Sequence, residues 1–306
     1  MTVQSSKDIE FDFFNLLESL WKHKIKIIAT SFSFAVLFAI YSLTLPNIYQ
    51  SETLLAPTNN DENINNSIGR SNSFAPTSLF RIPSAISNTT YEAIETLESF
   101  EFFKNTFLPK INLHDLVAVN GWSRDKNKLS YIESFYDENN GEWVGKFSPG
   151  KTKKPSELRS YRKFKDIVQV REDLETGFIR ISVKHHSPIV AKQWLEIINS
   201  SINEIFRQTH KKESINSIQY LNDELSRANL TELKQAISEL IQEQTQRLML
   251  IESNPEYIFK VIEPPYAPEQ KFSPSRFLIT ILGAILGFIL TFFYVIYSEY
   301  FKNRRH

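Results

Sequence analysis

The sequence predicts an α+β membrane protein in which two transmembrane helices flank an α/β base domain with a long extended helix. Three observations predict it. Residues 27–45 and 277–297 are uncharged and apolar, each about the twenty residues a helix needs to cross a hydrocarbon core of roughly 30 Å. Between them lie short segments of strand composition, one with the pattern of a β-hairpin. Residues 189–251 contain neither proline nor glycine, and as continuous helix that run would reach about 95 Å.

Ahead of the first span, Ile9, Phe13, Leu17, Leu20 and Trp21 recur at helical spacing. This predicts an interfacial helix with Trp21 at the headgroups. Lys22, Lys24 and Lys26 precede the span, and no Lys or Arg stands at 46–69. Positive residues mark the cytoplasmic flank, so the N-terminus is expected inside. The second span is balanced, with Lys260, Lys271 and Arg276 before it and Lys302, Arg304 and Arg305 after it. Two crossings return the chain to the side it left. Both termini are therefore expected in the cytoplasm and the block between the spans in the periplasm or exterior. A cleaved signal peptide fits poorly, because its apolar core runs about 7–15 residues before a small-residue cleavage site. Here the core is longer and ends in Leu43-Thr44-Leu45-Pro46.

The expected divisions are an amphipathic N-terminus at 1–25, a span at 26–45 and a base domain at 46–187. Long helices follow at 188–254 with a break near 229, then a returning strand and proline-rich coupler at 255–275. A second span at 276–297 and a tail at 298–306 complete the chain.

Lys and Arg number 35, as do Asp and Glu, so the whole chain has no bias toward nucleic acid or an acidic partner. There are no cysteines, which excludes thiol chemistry, disulfides and cysteine-based metal centres. Glycines number eight, and neither G-x-x-x-x-G-K-[ST] nor G-x-G-x-x-G occurs, so no phosphate-cradling loop is expected.

Along the block, residues 48–57 alternate imperfectly and end at Pro57, a strand leaving the membrane. Residues 58–78 are rich in Asn, Ser and Thr and read as a loop. Apolar residues at 94, 97, 100, 103 and 107 form a helical stripe. Residues 120–155 are polar, aromatic and rich in turn formers, and their order is not legible. At 166–185, Ile167, Val168 and Val170, then Phe178, Ile179, Ile181 and Val183, flank Glu175-Thr176-Gly177, a hairpin. Ser187-Pro188 opens a helix, with Pro where the first turn tolerates it. In the long run, Ile218, Leu221, Leu225 and Ala228 keep one apolar frame, and Leu230, Leu233, Ile237, Leu240, Leu248 and Ile251 keep another. The frames are out of step by about two residues, and Asn229-Leu230-Thr231-Glu232 matches a capping box with Asn229 at the cap. This predicts a long helix, a sharp break and a second helix. Their narrow stripes predict helix contact within the chain or between subunits, or simply cover for a sheet. Residues 257–263 have strand composition and can pair with 48–56. Pro264, Pro265, Pro268 and Pro274 then stiffen the approach to the second span. Within that span Gly283 and Gly287 form GxxxG, which lets two helix backbones approach closely. The partner could be the first span, a neighbouring subunit or another membrane protein.

The order of these parts resembles the Wzz-type polysaccharide co-polymerases, the chain-length determinant proteins. Most of the chain matches in architecture, and the specific pieces stand at its ends. These are the amphipathic stretch 11–21 with its basic turn and span, and residues 49–57. The strongest is Tyr257-x-Phe259-Lys260-Val261-Ile262-Glu263-Pro264, followed by Pro265, Pro268, Pro274, Leu282-Gly283 and Gly287. The Asn/Ser-rich 58–78 departs from the pattern. The resemblance implies a base domain near the inner membrane and a long periplasmic helix. It implies a homo-oligomeric ring, commonly of about eight copies closed by heterologous contacts. It implies a non-catalytic scaffold without cofactor or metal, which sets how many repeats of an O-antigen or similar surface polysaccharide a separate membrane polymerase adds. Its expected partners are that polymerase and the bilayer, not nucleic acid, with the growing lipid-linked polysaccharide as a further candidate. The residues expected to carry coupling and packing are Pro264, Pro265, Pro268, Pro274, Gly283 and Gly287.

Other signals read more simply as structure. His185 and His186 are adjacent on a strand and face opposite ways, which disfavours a shared metal. Asp223, Glu224, Glu239 and Glu243 read as solvated helix faces. Trp122, Trp143 and Trp194 could stack on sugar, but aromatics dominate core burial. Two other classes share the architecture. A two-span sensor needs a cytoplasmic output module that Phe301 to His306 cannot supply, although a sensor or a polysaccharide-export partner could act through a separate cytoplasmic kinase docked there. A membrane-tethered enzyme needs a catalytic constellation, and none is legible.

Overall fold

The computed structural model describes residues 21, 23–58, 88–145 and 153–303, so the predicted amphipathic helix (except Trp21), most of the Asn/Ser-rich loop and the last residues of the tail lie outside them. The chain divides into two units, one of residues 1–47 with 272–306 and one of residues 48–271.

Helix α1, Lys24–Thr44, begins three residues before the apolar stretch. It stops where Leu45 turns extended ahead of Pro46, because proline disfavours the helical region for the residue before it.

The larger unit is built on an antiparallel sheet. Strand β1, Tyr49–Pro57, buries Ser51, Thr53 and Leu55 on one face. After it come helix α2, Asn88–Glu98, and a break at Ser99. The Ser99 hydroxyl accepts from the Phe102 N–H at 3.0 Å and donates to the Thr96 carbonyl at 2.7 Å. The helix resumes for one turn, widens to a π-turn at Phe103–Phe107 and tightens at Leu108–Lys110. The predicted stripe is therefore realised in two pieces. Four residues apart across the π-turn, Phe103 and Phe107 are both fully buried. Their rings pack on Phe164 at 5.3 and 4.9 Å, and Phe107 meets Trp194 edge-on at 5.7 Å.

Helix α3, Leu113–Val117, leads into the region the sequence leaves unordered. It holds two small hairpins, β2 (Val119–Ser123) with β3 (Lys128–Tyr131), and β4 (Tyr136–Asp137) with β5 (Glu142–Trp143). Helix α4, Glu157–Ile167, is capped by Ser156 and runs into strand β6, Val168–Glu172. Strand β7, Ile179–His185, returns after a turn in which Asp173 accepts two backbone N–H groups and Gly177 has φ 69°. A positive φ of that kind favours glycine, as the predicted hairpin requires.

Helix α5, Pro188–Arg227, is capped by the Ser187 side chain with Pro188 in its first turn. Helix α6, Thr231–Ser253, follows. The last strand, β8, Phe259–Glu263, completes the order β6-β7-β1-β8. Residues 259–263 thus pair with β1, as their composition predicts, with a register shift between Leu54 and Leu55. The sheet turns Leu55, Ile179, Ile181, Val183 and Phe259 inward, against Ala191, Trp194, Leu195, Ile198 and Ile202 of α5. Burial on α5 continues through Phe206, His210 and Ser214 and then ceases. The first two-thirds of α5 cover the core, and beyond it α6 folds back along α5 as an intrachain hairpin.

The reversal corrects one sequence expectation. Asn229 is not the cap. Ala228 is buried at 7% exposure, and it and Leu230 are both extended. The turn thus consumes Asn229, the N-cap falls on Leu230, and no side chain caps α6.

In the smaller unit, α7, Arg276–Asn303, pairs with α1. Both helices are long and apolar enough to cross a membrane. Phe32, Leu37, Ile40, Leu282, Phe293 and Tyr294 remain exposed on them, the surface a hydrocarbon solvent accepts. The pair is consistent with a two-pass membrane protein.

Candidate functional site: the returning strand and the paired helices

Proline shapes the end of β8. Pro264 and Pro265 have no N–H to donate, so the chain after Glu263 cannot extend the ladder. Side chains of β1 replace it. Thr53 Oγ1 donates to the Glu263 carbonyl at 2.8 Å, and Ser51 Oγ donates to the Tyr266 carbonyl at 2.7 Å. Both hydroxyls are buried, which explains why a strand face so enclosed carries Ser and Thr. Pro265 and Pro268 are half-buried on this path, Pro264 is exposed, and Pro274 follows a cis peptide in the other unit.

Helix α5 fixes the same strand from the core side. Asn203 Oδ1 accepts from the Ile258 and Phe259 N–H groups, both at 2.9 Å, and its Nδ2 donates to the Phe259 carbonyl at 3.0 Å. One turn earlier, Asn199 Nδ2 donates to Thr53 Oγ1 at 3.1 Å. The sequence reasoning missed this pair. The available signal was two asparagines four residues apart within the apolar stripe formed by Ala191, Leu195, Ile198 and Ile202.

Gly283 and Gly287 lie in the interface with α1. A Cβ on Gly283 would stand 2.6 Å from Phe38 Cβ, and one on Gly287 would stand 3.0 Å from Ser31 Cα and 3.1 Å from the Thr30 carbonyl oxygen. Neither the Phe38 Cβ nor the α1 backbone moves when a side chain turns, so a side chain at either glycine would push the helices apart. One turn further, the Thr30 and Thr291 hydroxyls meet at 2.5 Å. Gly283, Gly287 and Thr291 thus form a small-residue ridge facing Thr30, Phe34 and Phe38. An interhelical hydrogen bond of this kind contributes about 0.6 kcal/mol on average. Beside the start of α7, Arg276 Nη2 donates to Asn47 Oδ1 at 3.3 Å.

The remaining signals find structural roles. His185 is buried with its ring at 4.8 Å from Trp194. The Ser187 N–H donates to its Nδ1, so the proton sits on Nε2 and is donated to the Asp115 carbonyl, each at 3.0 Å. Burial pushes its pKa down to about 4. Among the described residues no group of three or more His, Cys, Asp or Glu is placed to hold a metal. Trp194 is core, whereas Trp122 and Trp143 are half-buried on the small hairpins.

These features define a class: an α+β domain inserted between two candidate membrane helices, with a helical hairpin built on its sheet. Residues 9–107, about a third of the chain, match the family model of the chain length determinant protein, Wzz. No curated protein matches the chain. Among solved structures, a "full-length bacterial polysaccharide co-polymerase" is similar at 14% identity and a TM-score of 0.38, over 95% of this chain and 99% of that one.

Proposed function

We propose that this protein is an inner-membrane scaffold that sets the length of a surface polysaccharide, an O-antigen or a similar polymer, made by a separate membrane polymerase. In this reading both ends are cytoplasmic, residues 46–275 are periplasmic, and copies assemble into a ring. The ring acts on the polymerase by geometry rather than chemistry. Pro264, Pro265, Pro268 and Pro274 stiffen the path into the second span, and Gly283 and Gly287 hold that span against the first.

The observation that carries the reading is the family match over residues 9–107. The pairing of the first periplasmic strand with the last supports it further, because whatever loads one strand reaches the other through direct hydrogen bonds. The test is deletion of the gene, its restoration, and separation of the cell's surface polysaccharide by size on a gel. Deletion is expected to broaden or shift the length distribution, and the restored gene to return it. An unchanged pattern refutes the reading.

A further inference from the structure

We propose that a cleft in the larger unit, between residues 110–115 and the first turns of α5, binds a short, uncharged, hydroxyl-rich stretch of saccharide; this rests on the length-setting function proposed above. The cavity is about 550 Å³, within the roughly 300–1,000 Å³ of small-ligand sites. Its lining is mixed in a way that selects a ligand class. Ile111, Val190 and Ile197, all half-buried, supply an apolar floor, backed by the buried Trp194, which Phe107 and His185 hold in place. A floor of this kind suits the C–H face of a sugar ring.

Around it stand an ammonium, two side-chain amides, a hydroxyl and two carboxylates, from Lys110, Asn112, Gln193, Ser200, Asp115 and Glu196. Each sugar hydroxyl both donates and accepts, and so does each amide. One cation against two anions gives no pull on a polyanion, which sets the class as uncharged. So many polar groups disfavour a purely apolar ligand, which would leave them unpaired.

Several of these groups are already oriented. The Asp115 carboxylate accepts the Tyr131 hydroxyl at 2.7 Å and Asn112 Nδ2 at 3.2 Å. The Lys110 ammonium donates to Ser201 Oγ at 2.7 Å. A carboxylate offers about four acceptor sites and an ammonium three donors, so both keep capacity for a ligand. Groups locked by neighbours lose little entropy on binding. The cavity between α5 and α6, lined by Asn216, Ser217, Tyr220, Leu221, Leu240 and Gln244, also offers amides and hydroxyls but no charged side chain.

The test uses the full chain in detergent micelles. The probe is the lipid-free fragments of a few repeats that mild acid releases from the host's own surface polysaccharide, followed by saturation-transfer NMR. Binding is expected to saturate, and to weaken by about tenfold or more in Ser200→Trp, which fills the cleft, and in Gln193→Ala, which removes an amide. Both positions are exposed, so the melting profile should not change. Lys163→Ala, an exposed change on α4, should bind as the parent does. Absence of saturable binding, binding equal in all variants, or binding abolished by high salt overturns the proposal. The two readings fail separately. A length distribution that responds to gene deletion with no fragment binding removes the cleft and keeps the scaffold. Cleft-dependent binding with an unresponsive length distribution keeps the saccharide site and removes length setting.

Discussion

Asn203 turns one side-chain oxygen to two buried backbone N–H groups, and a buried donor left without a partner costs about 1–3 kcal/mol. Asn203→Ala is therefore expected to lower stability by about 2–3 kcal/mol, read as the urea midpoint of the detergent-solubilised chain by Trp fluorescence. Asn199→Ala should cost about 1 kcal/mol, because Asn199 makes one such bond and its Oδ1 is buried with no partner among the described residues. Equal costs would refute this ranking. His185 sets a pH dependence. Its folded pKa of about 4 lies below the ordinary 6.5, so between those values the unfolded chain binds more protons than the folded one. Stability is then complete above pH 6.5 and falls as pH drops toward 4, by about 3 kcal/mol for this group. His185→Gln should flatten the slope in that window, checked by urea midpoints at several pH values. An unaltered slope would assign the pH dependence to other groups.

Elements were legible where a periodic pattern ran long enough to be read. The β6–β7 hairpin follows from alternation of Val168 and Val170 with Ile179, Ile181 and Val183 around Gly177. The α5–α6 break follows from two apolar frames that do not share a phase. Neither argument works at 119–143, where β4 and β5 are two residues each and alternation cannot be recognised. That region is organised instead by ring contacts such as His114 stacked on Tyr136 at 4.6 Å, which leave no period in sequence. The cap of α6 was misread for a related reason. The capping-box pattern is local, whereas burial of Ala228 is tertiary, and the tertiary constraint moved the helix start one residue on. The uncapped start yields a prediction. Leu230 is 65% exposed, so Leu230→Asp removes no core contact and supplies an acceptor to the first-turn N–H groups. It should stabilise α6 by about 1 kcal/mol, seen as slower amide exchange at residues 232–234, while Asn229→Ala should change little. Faster exchange in the Leu230 variant would refute the assigned cap.

For the whole molecule, the proposed function turns on whether the geometry of the paired helices matters to the product, and the sequence alone left the partner of Gly283 and Gly287 open among three candidates. The choice depends on Phe38, Ser31 and Thr30, some 250 residues away along the chain, and no local pattern encodes contacts at that distance. With α1 as the partner, the ridge is satisfied inside one chain. Leucine at both glycines would force the helices apart without adding a charge to either. The chain has no cysteine, so Thr30→Cys with Thr291→Cys introduces one pair, placed where the two hydroxyls now touch. Mild oxidation should cross-link that pair within a single chain, and adding Gly283→Leu and Gly287→Leu should cut the yield severalfold. The leucine variant, with its threonines intact, should still resist extraction from membranes, because both spans stay apolar and of full length. In cells it should shift the polysaccharide length distribution at normal protein level. Loss of the cross-link with an unaltered distribution would separate helix packing from length setting. An intact cross-link in the leucine variant would reject the role of the two glycines in holding the helices together.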